Sequence, residues 1–251
     1  MNEYLSGFIL GLVQGLAEFL PVSSSGHLAL LEELGVGTPD LATNLALHLA
    51  TLLSVVTVYR KRIFALIRHP FCEEMRFILV ASIPTGILAA LIRYAVPKTT
   101  AFLPFFFLCT SALLVLPKIV KPKERIFLEK LYPKALFVGT MQGLACFDGI
   151  SRSGSTVTAL RLTGVDSEKS AETSFLLSIP VIVASAVVEI STNHGNFVLG
   201  GGLVVGMITA FLVGIIAIKA FIKVLKKDKT AYFSIYTFAV GIAAFFLLQR
   251  S

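Results

Sequence analysis

Charged residues are scarce in this chain of 251 residues: they make up 15% of it, whereas 55% is hydrophobic. A soluble globular protein carries roughly 25% charged residues, so the composition excludes a soluble enzyme with a polar shell. The mean hydropathy of +0.83 points the same way. We therefore expect an all-α polytopic membrane protein that forms a single membrane domain over residues 1–251.

Cysteine and histidine are also few, with three and four residues. Cys109 and Cys146 lie in apolar surroundings and Cys72 in a basic loop, which excludes a disulfide scaffold. Cys and His are not clustered, so the sequence predicts no zinc site. No heptad pattern persists, which excludes a coiled coil. The first residues, 1–4, include no basic stretch, so we expect no cleavable signal peptide.

Basic residues outnumber acidic ones, and the formal net charge is +7. The excess falls in three loops, at 60–76, 118–134 and 219–229. The loops between them carry almost none: Lys98 in one, and none in 191–196. The positive-inside rule explains this pattern as cytoplasmic loops, so we expect no nucleic-acid partner.

Crossing the hydrocarbon core takes about 20 apolar residues. Six segments qualify as transmembrane helices: 41–59, 77–96, 101–119, 172–190, 198–218 and 231–249. Two further apolar stretches, 4–34 and 135–164, are interrupted by clusters of Gly, Ser and Pro. We expect each of these two to enter and leave on one side as a re-entrant helix hairpin, with both termini outside. Eight plain spans are the alternative, which would expose Arg152 in mid-membrane.

The chain contains an internal repeat. Residues 13–26 read VQGLAEFLPVSSSG and residues 141–154 read MQGLACFDGISRSG, identical at 8 of 14 positions without a gap. Three spans follow each copy, so we predict an inverted-topology repeat of two halves, about 1–120 and about 135–251. Irregular backbone inside a membrane must be buried or line a wet cavity. We therefore expect the two interrupted loops to meet at one polar site.

The first loop combines polar and ionisable side chains. Gln14 and Glu18 are four residues apart and share a helix face. Residues 23–26 offer hydroxyls and backbone N–H groups at the start of a helix, where anions bind. Small residues also serve close helix packing, but packing does not explain the ionisable groups, since each costs about 2.5–3.5 kcal/mol in a span. The candidate residues here are Gln14, Glu18, Ser23, Ser24, Ser25, Gly26 and His27.

The second loop supplies a guanidinium among hydroxyls. The planar fork of Arg152 can form two parallel hydrogen bonds to a phosphate. The alternative is a structural ion pair with Glu18 or Asp148. The candidate residues here are Asp148, Ser151, Arg152, Ser153, Gly154 and Thr156.

Together the loops offer a hydroxyl nucleophile, a histidine base, a carboxylate and a cationic clamp. This set suits phosphoryl transfer, in which catalysis is mostly positioning and charge neutralisation. A carboxylate repels a phosphate unless a cation lies between them, so we expect a divalent metal. Mg²⁺ typically binds through one or two carboxylates and phosphate oxygens.

The strings GLAEFLPVSSSGHL and GISRSGST resemble the two signature motifs of the undecaprenyl-diphosphate phosphatase family, the bacitracin-resistance membrane phosphatases. The similarity covers the whole chain in length, span count and repeat layout. It implies a hydrolase that removes the terminal phosphate from undecaprenyl (polyprenyl) diphosphate at the outer face of the plasma membrane. The monophosphate carrier is then recycled for cell-wall glycan synthesis.

The resemblance also implies roles for individual residues. Glu18 and Gln14 would hold the metal, Mg²⁺ or Ca²⁺, and orient the substrate. Ser24 matches the proposed nucleophile, and His27 and Arg152 match the essential histidine and arginine. The substrate-binding positions are Gln14, Ser23, Ser25, Gly26, Ser151, Ser153, Gly154 and Thr156.

Two departures and several alternatives stay open on the sequence. Gln14 supplies one charge fewer than a carboxylate would, and Asp148 replaces the usual proline of the second motif. Asp148 is either a further metal ligand or the N-cap of the outgoing helix. His48 and Glu189 each either line the cavity or have a buried partner.

The chemistry and the assembly leave further alternatives. A phosphoserine on Ser24 and direct attack by water both fit the residues. A homodimer remains open as well. The rival function is a polyprenyl-phosphate flippase or transporter without phosphatase activity, because inverted repeats with broken helices also build transporters.

Overall fold

The computed structural model describes residues 2–37, 41–97, 99–120, 130–192 and 200–249. Some residues used above to predict orientation and spans lie outside them: Lys98, residues 121–129 of the second basic loop, and residues 193–199. The described part of the chain is all-helical. Its ten helices are α1 (Glu3–Ala17), α2 (Ser24–Glu33), α3 (Leu41–Arg68), α4 (Glu73–Ala95), α5 (Leu103–Ile119), α6 (Leu131–Leu144), α7 (Arg152–Leu162), α8 (Ser167–Thr192), α9 (Gly201–Lys226) and α10 (Ala231–Leu248).

The protein is a multi-pass membrane protein by the length and composition of these helices. Within the described ranges, five helices are long and apolar enough to cross a bilayer, namely α3, α4, α8, α9 and α10. The remaining predicted span corresponds to α5, which has 17 residues and is therefore about 26 Å long at a rise of about 1.5 Å per residue. Helix α3 continues past the predicted end at residue 59, where Tyr59 interrupts the helical geometry with φ −102° and ψ 17°.

The two interrupted stretches each fold as a pair of short helices. Helices α1 and α2 have 15 and 10 residues, and α6 and α7 have 14 and 11. None of the four reaches the roughly 20 residues that a crossing requires. Helix α1 ends before Pro21, as the position of the proline predicts, because a proline has no backbone N–H for a helical hydrogen bond.

Stripes of small residues bring α1 and α9 into backbone contact. A Cβ atom added at Gly7 would lie 1.9 Å from the Gly202 carbonyl oxygen, and one at Gly11 would lie 2.2 Å from that of Gly206. Glycines four residues apart let membrane helices approach this closely. Any larger side chain at these positions would push α1 away from α9.

Helices α6 and α4 make the equivalent contact. A Cβ atom at Gly139 would lie 2.0 Å from the Ala81 carbonyl oxygen. The Thr85 hydroxyl donates a hydrogen bond of 2.8 Å to the Gly139 carbonyl. The first helix of each half thus packs on the fourth helix of the other half, α1 on α9 and α6 on α4. This exchange brings the loops that follow α1 and α6 towards each other.

A buried aromatic cluster anchors the first loop. The ring of Phe19 lies 5.5 Å from that of Phe175 on α8, and Phe175 lies 6.1 Å from Phe221 on α9. All three side chains are fully buried. Residues 18–23 are therefore fixed against helices of the second half, although they form no regular helix themselves.

Candidate active site

The repeated serines and glycines build the same helix start twice. Ser23 is the N-cap of α2, and its hydroxyl accepts a hydrogen bond from the Gly26 N–H at 3.3 Å. Ser151 is the N-cap of α7, and its hydroxyl accepts one from the Gly154 N–H at 3.1 Å. The interpretation of Asp148 as that N-cap is therefore wrong, since Ser151 occupies the position.

The two loops are joined by hydrogen bonds. The Gly149 N–H donates to the Ser23 hydroxyl oxygen at 3.2 Å, and the Ser153 hydroxyl donates to the Leu20 carbonyl at 3.1 Å. Ser23 has φ +70° and is buried, a backbone conformation that costs a non-glycine residue about 1–3 kcal/mol. The bonds that its hydroxyl accepts from both loops hold it there.

Glycines let the two loops pack closely against each other. A Cβ atom at Gly26 would lie 2.9 Å from Gly149 Cα, and one at Gly154 would lie 3.3 Å from Pro21 Cβ. In the repeat alignment, position 21 matches 149 and position 26 matches 154. The two contacts are thus equivalent under exchange of the halves.

The Glu18 carboxylate is the centre of the polar cluster. It is 5% exposed. Its Oε1 atom forms an ion pair with the Arg152 guanidinium of the second loop. Its Oε2 atom accepts hydrogen bonds from the Ser24 hydroxyl at 2.6 Å and from the Gln14 amide at 3.0 Å. His48 Nδ1 lies 3.5 Å from the same oxygen. The predicted nucleophile, carboxylate and cation are therefore in contact.

Gln14 presents an oxygen atom that needs a partner. Its Nε2 donates to Glu18 and lies 3.0 Å from His48 Nδ1, so these neighbours fix the orientation of the amide. Its Oε1 is buried and has no hydrogen-bond partner among the described residues. Such an oxygen can accept a hydrogen bond or ligate a cation.

His27 lies beside this cluster, with other partners. Its Nδ1 is 2.7 Å from the Ser23 carbonyl oxygen, which can only accept, so Nδ1 carries the proton. Its Nε2 lies 2.8 Å from the Tyr236 hydroxyl, and the two rings stack. In the neutral ring both nitrogens are thus occupied. Glu18, at 2.6 Å, is the group within reach of the Ser24 proton.

The second loop is held by α5. The Thr110 hydroxyl donates to the Gly149 carbonyl at 2.8 Å and accepts from the Ser151 N–H at 3.0 Å. Thr156, a predicted binding residue, is fully buried. Its hydroxyl lies 2.5 Å from that of Ser174 on α8, which makes it part of the packing behind the loop.

A cavity of about 330 Å³ lies in front of the cluster. The predicted site residues in its wall are Glu18, Ser23, Ser24, Ser25, Asp148, Ser151 and Arg152. The predicted residues outside its wall are Gln14, Gly26, His27, Ser153, Gly154 and Thr156. The first group can meet a ligand directly. In the second group, Gln14 contacts the wall residue Glu18, and the other residues lie in the two loops and the helix starts that follow them.

The wall also includes residues beyond the predicted set. Arg93 and Glu189 form an ion pair of 2.9 Å there. Both alternatives for Glu189 and His48 hold at once, since each lines the cavity and has a partner. The signal for Arg93 was present in the sequence, because an arginine inside the predicted span 77–96 indicates function by default.

Gln142 is the repeat counterpart of Gln14 and also lines the cavity. Its Nε2 donates to the Thr85 hydroxyl at 3.2 Å, and its Oε1 is buried without a partner among the described residues. Because the repeat aligns Gln142 with Gln14, a predicted site residue, the sequence could have predicted that Gln142 also belongs to the site.

The donor set for a divalent metal is small. The described residues contain no group of three or more His, Cys, Asp or Glu side chains that could hold a metal ion. Glu18 and the exposed Asp148 line the cavity, and Gln14, which contacts Glu18, adds an amide oxygen, Oε1, that has no partner among the described residues. This set fits Mg²⁺ or Ca²⁺ when substrate phosphate oxygens complete the coordination.

Comparison with known proteins gives consistent matches. The family model described as bacitracin resistance protein BacA matches residues 7–243. The undecaprenyl-diphosphatase of Treponema denticola is 39% identical, with 93% of each chain covered. That of Halothermothrix orenii is 38% identical, with 96% of each chain covered. That of Methanosphaera stadtmanae is 34% identical, with 98% of this chain and 99% of the relative covered.

Proposed function

The chain belongs to the bacitracin resistance protein BacA family, and on that premise we propose that it is an integral membrane undecaprenyl-diphosphatase. It hydrolyses undecaprenyl diphosphate to the monophosphate and inorganic phosphate, and so recycles the lipid carrier for cell-wall glycan synthesis. The observation that carries the chemistry is the contact of Ser24 and Arg152 with one buried carboxylate, Glu18.

Substrate binding uses Arg152 and two helix starts. Helices α2 and α7 both begin at the cavity, and the first N–H groups of a helix have no acceptor within it. These groups and the positive end of the helix dipole favour a phosphate. When the substrate binds, the Arg152 guanidinium moves from Glu18 to the phosphate and forms hydrogen bonds to two of its oxygens. The carboxylate is then free to accept a proton.

The reaction proceeds in two steps. Ser24 Oγ attacks the terminal phosphorus, and its proton passes to Glu18 Oε2. The anhydride P–O bond breaks, and undecaprenyl monophosphate leaves with the bridging oxygen. Glu18 passes this proton to the departing monophosphate and so becomes a base again. A water molecule then gives a proton to Glu18 and attacks the phosphorus of the phosphoserine. The bond from phosphorus to Ser24 Oγ breaks, the proton returns to Ser24 Oγ, and inorganic phosphate leaves, so one water is consumed in each turnover. Nucleophile and base at 2.6 Å support this route over direct attack by water.

A divalent metal is part of the proposal. Glu18 and Gln14 would hold it, with Asp148 as a third candidate ligand. When bound, Mg²⁺ or Ca²⁺ would neutralise charge on the diphosphate oxygens.

The finer membrane arrangement is also proposed. Six transmembrane helices and two re-entrant hairpins form an inverted repeat of residues about 1–120 and about 135–251. The short helix pairs and the exchanged packing of α1 on α9 and α6 on α4 support it.

The active site opens to the outer face of the plasma membrane. Its wall includes Arg93 and Glu189, near the ends of α4 and α8 that lie away from the basic loop at 60–76. A homodimer is the remaining partner prediction. Light scattering on the purified protein in detergent tests it.

The rival function is a flippase or transporter without phosphatase activity. Purified protein in detergent, given undecaprenyl or farnesyl diphosphate with Mg²⁺ or Ca²⁺, should release inorganic phosphate. Ser24→Ala and Arg152→Ala should release far less. Folded wild-type protein that releases none would refute the phosphatase and favour the transporter.

A further inference from the structure

The cavity contains a second guanidinium group. Arg93 on α4 and Arg152 on α7 both line it. Each pairs with a carboxylate from another element, Glu189 on α8 and Glu18 after α1. The side chains of the two arginines are 40% and 19% exposed, whereas those of their partners are 9% and 3% exposed. Both pairs thus bury the anion in the wall and leave the cation accessible from the cavity.

The position of Arg93 calls for an explanation. It lies near the end of α4 that is remote from the basic loop at 60–76, so the positive-inside rule does not account for it. A guanidinium has five N–H donors, and the ion pair with Glu189 is made through Nη1. The group can therefore keep this pair and still bind an incoming anion.

We propose that Arg93 is a second anion-binding group, which holds one phosphate of the diphosphate headgroup while Arg152 holds the other. This inference rests on the proposed function and extends it to substrate selection. Arg152 and Ser24 both contact the Glu18 carboxylate, so Arg152 lies beside the nucleophile and holds the phosphate that is attacked. Arg93 binds the phosphate that stays on the lipid, where charge develops as the anhydride bond breaks. The site thereby prefers diphosphates to monophosphates.

Inorganic pyrophosphate and inorganic phosphate are the probes, used as inhibitors of lipid diphosphate hydrolysis and as stabilisers in thermal unfolding. In Arg93→Gln we expect the inhibition constant for pyrophosphate to rise about tenfold or more, because a charge-assisted hydrogen bond is lost. The constant for phosphate should change less than about twofold, since Arg152 still holds a single phosphate. KM for the lipid diphosphate should rise with the pyrophosphate constant.

Glu189 variants separate binding from a structural role. Glu189→Gln leaves Arg93 with its full charge for the ligand, so pyrophosphate should bind more tightly than to wild type. A purely structural pair would make both single variants weaker. Arg93→Gln/Glu189→Gln removes both charges, leaves no unpaired ion, and should still show the loss of pyrophosphate binding. Arg161→Gln is the matched control, because it breaks an ion pair with Asp228 outside the cavity wall.

The inference is overturned if Arg93→Gln and the double variant keep wild-type affinity for pyrophosphate, or if affinity for phosphate falls equally. A wild-type protein without hydrolysis would instead refute the proposed function. Thermal stabilisation by pyrophosphate would still test Arg93 in that case, because ligand binding stabilises the folded state whether or not turnover occurs.

Discussion

The Glu18 carboxylate accepts a hydrogen bond of 2.6 Å from the Ser24 hydroxyl, across the break between α1 and α2. The same carboxylate pairs with Arg152, which is 134 positions further along the chain. One buried group thus joins the two halves of the repeat and presents a nucleophile and a cation to one cavity. Exchanged packing of α1 on α9 and of α6 on α4 makes this meeting possible.

Replacing the central carboxylate should abolish catalysis. Glu18→Gln keeps the shape but cannot accept the Ser24 proton, and a general base contributes about 10²- to 10⁴-fold. It also leaves Arg152 without its counter-ion and should lower the free energy of unfolding. The guanidinium is 19% exposed, so this loss should be smaller than the roughly 3–5 kcal/mol expected for a fully buried pair. We expect kcat to fall by at least about 100-fold, measured by phosphate release. Glu168→Gln, at an exposed pair with Lys226, is the control. Retention of a tenth of wild-type kcat by Glu18→Gln would contradict the role of the carboxylate.

A covalent intermediate should form on Ser24. Acid quenching during turnover of substrate labelled in its terminal phosphate should leave label on the wild-type protein, because hydrolysis of the phosphoserine is a separate step. Ser24→Ala should carry none and should turn over at a small fraction of the wild-type rate. Absence of label at every quench time, with substantial turnover by Ser24→Ala, would instead establish direct attack by water.

Close contact of the loops should depend on Gly149. Its φ is +101°, and an added Cβ would lie 2.8 Å from that of Phe106 and 3.0 Å from the Leu103 carbonyl oxygen. Gly149→Ala should therefore displace the second loop and lower both the melting temperature and kcat/KM. Gly86→Ala is the control, because a Cβ there meets nothing within 4 Å and alanine favours a helix. Equal behaviour of the two variants would show that the loop contact is dispensable.

Local patterns in the sequence were enough to predict several features of the fold. Low charge and long apolar runs predicted the membrane helices. The Pro, Ser and Gly residues at 21–26 predicted the break after α1 and the start of α2, because an N-cap is a local interaction. The start of α7 was less predictable, since Asp148 was considered as its N-cap and Ser151 occupies that position. The length of α5 and the extension of α3 to Arg68 were harder to predict from the sequence, because helix ends depend on packing and capping.

The site was predictable only in part. Ionisable residues in apolar stretches predicted Glu18 and Arg152, and the family resemblance predicted Ser24. The structure brings these three side chains into contact. The partners of His27 were not predictable, because Tyr236 lies 209 positions away and comes close only through the packing of α10 on α5. Arg93 carried a signal, whereas its pairing with Glu189 required the relative placement of α4 and α8.

Thr110 should stabilise the second loop from outside the repeat motif. Its hydroxyl bonds both the Gly149 carbonyl and the Ser151 N–H, so Thr110→Val leaves two buried backbone groups unpaired, at about 1–3 kcal/mol each. We expect a lower melting temperature and a fall in kcat/KM of about tenfold. Thr237→Val is the matched control, because that buried hydroxyl bonds only carbonyls of its own helix among the described residues. A Thr110→Val protein as stable and active as this control would disprove the role.

His27 should act as a positioning residue for Ser23. Its Nδ1–H donates to the Ser23 carbonyl and its Nε2 accepts from Tyr236, so neither nitrogen of the neutral ring is free for the Ser24 proton. His27→Asn places an amide N–H near the position of Nδ1, whereas His27→Gln places one near that of Nε2. Because the Ser23 contact positions the loop, His27→Asn should retain more activity than His27→Gln. Tyr236→Phe should lose less than about tenfold in activity, about the value of one neutral hydrogen bond.

A general base would give a different pattern. His27→Asn and His27→Gln would be equally inactive, and the limb of the pH–rate profile that reports the imidazole would disappear in both. Steady-state phosphate release by the three variants across pH, alongside their melting temperatures, distinguishes the two roles.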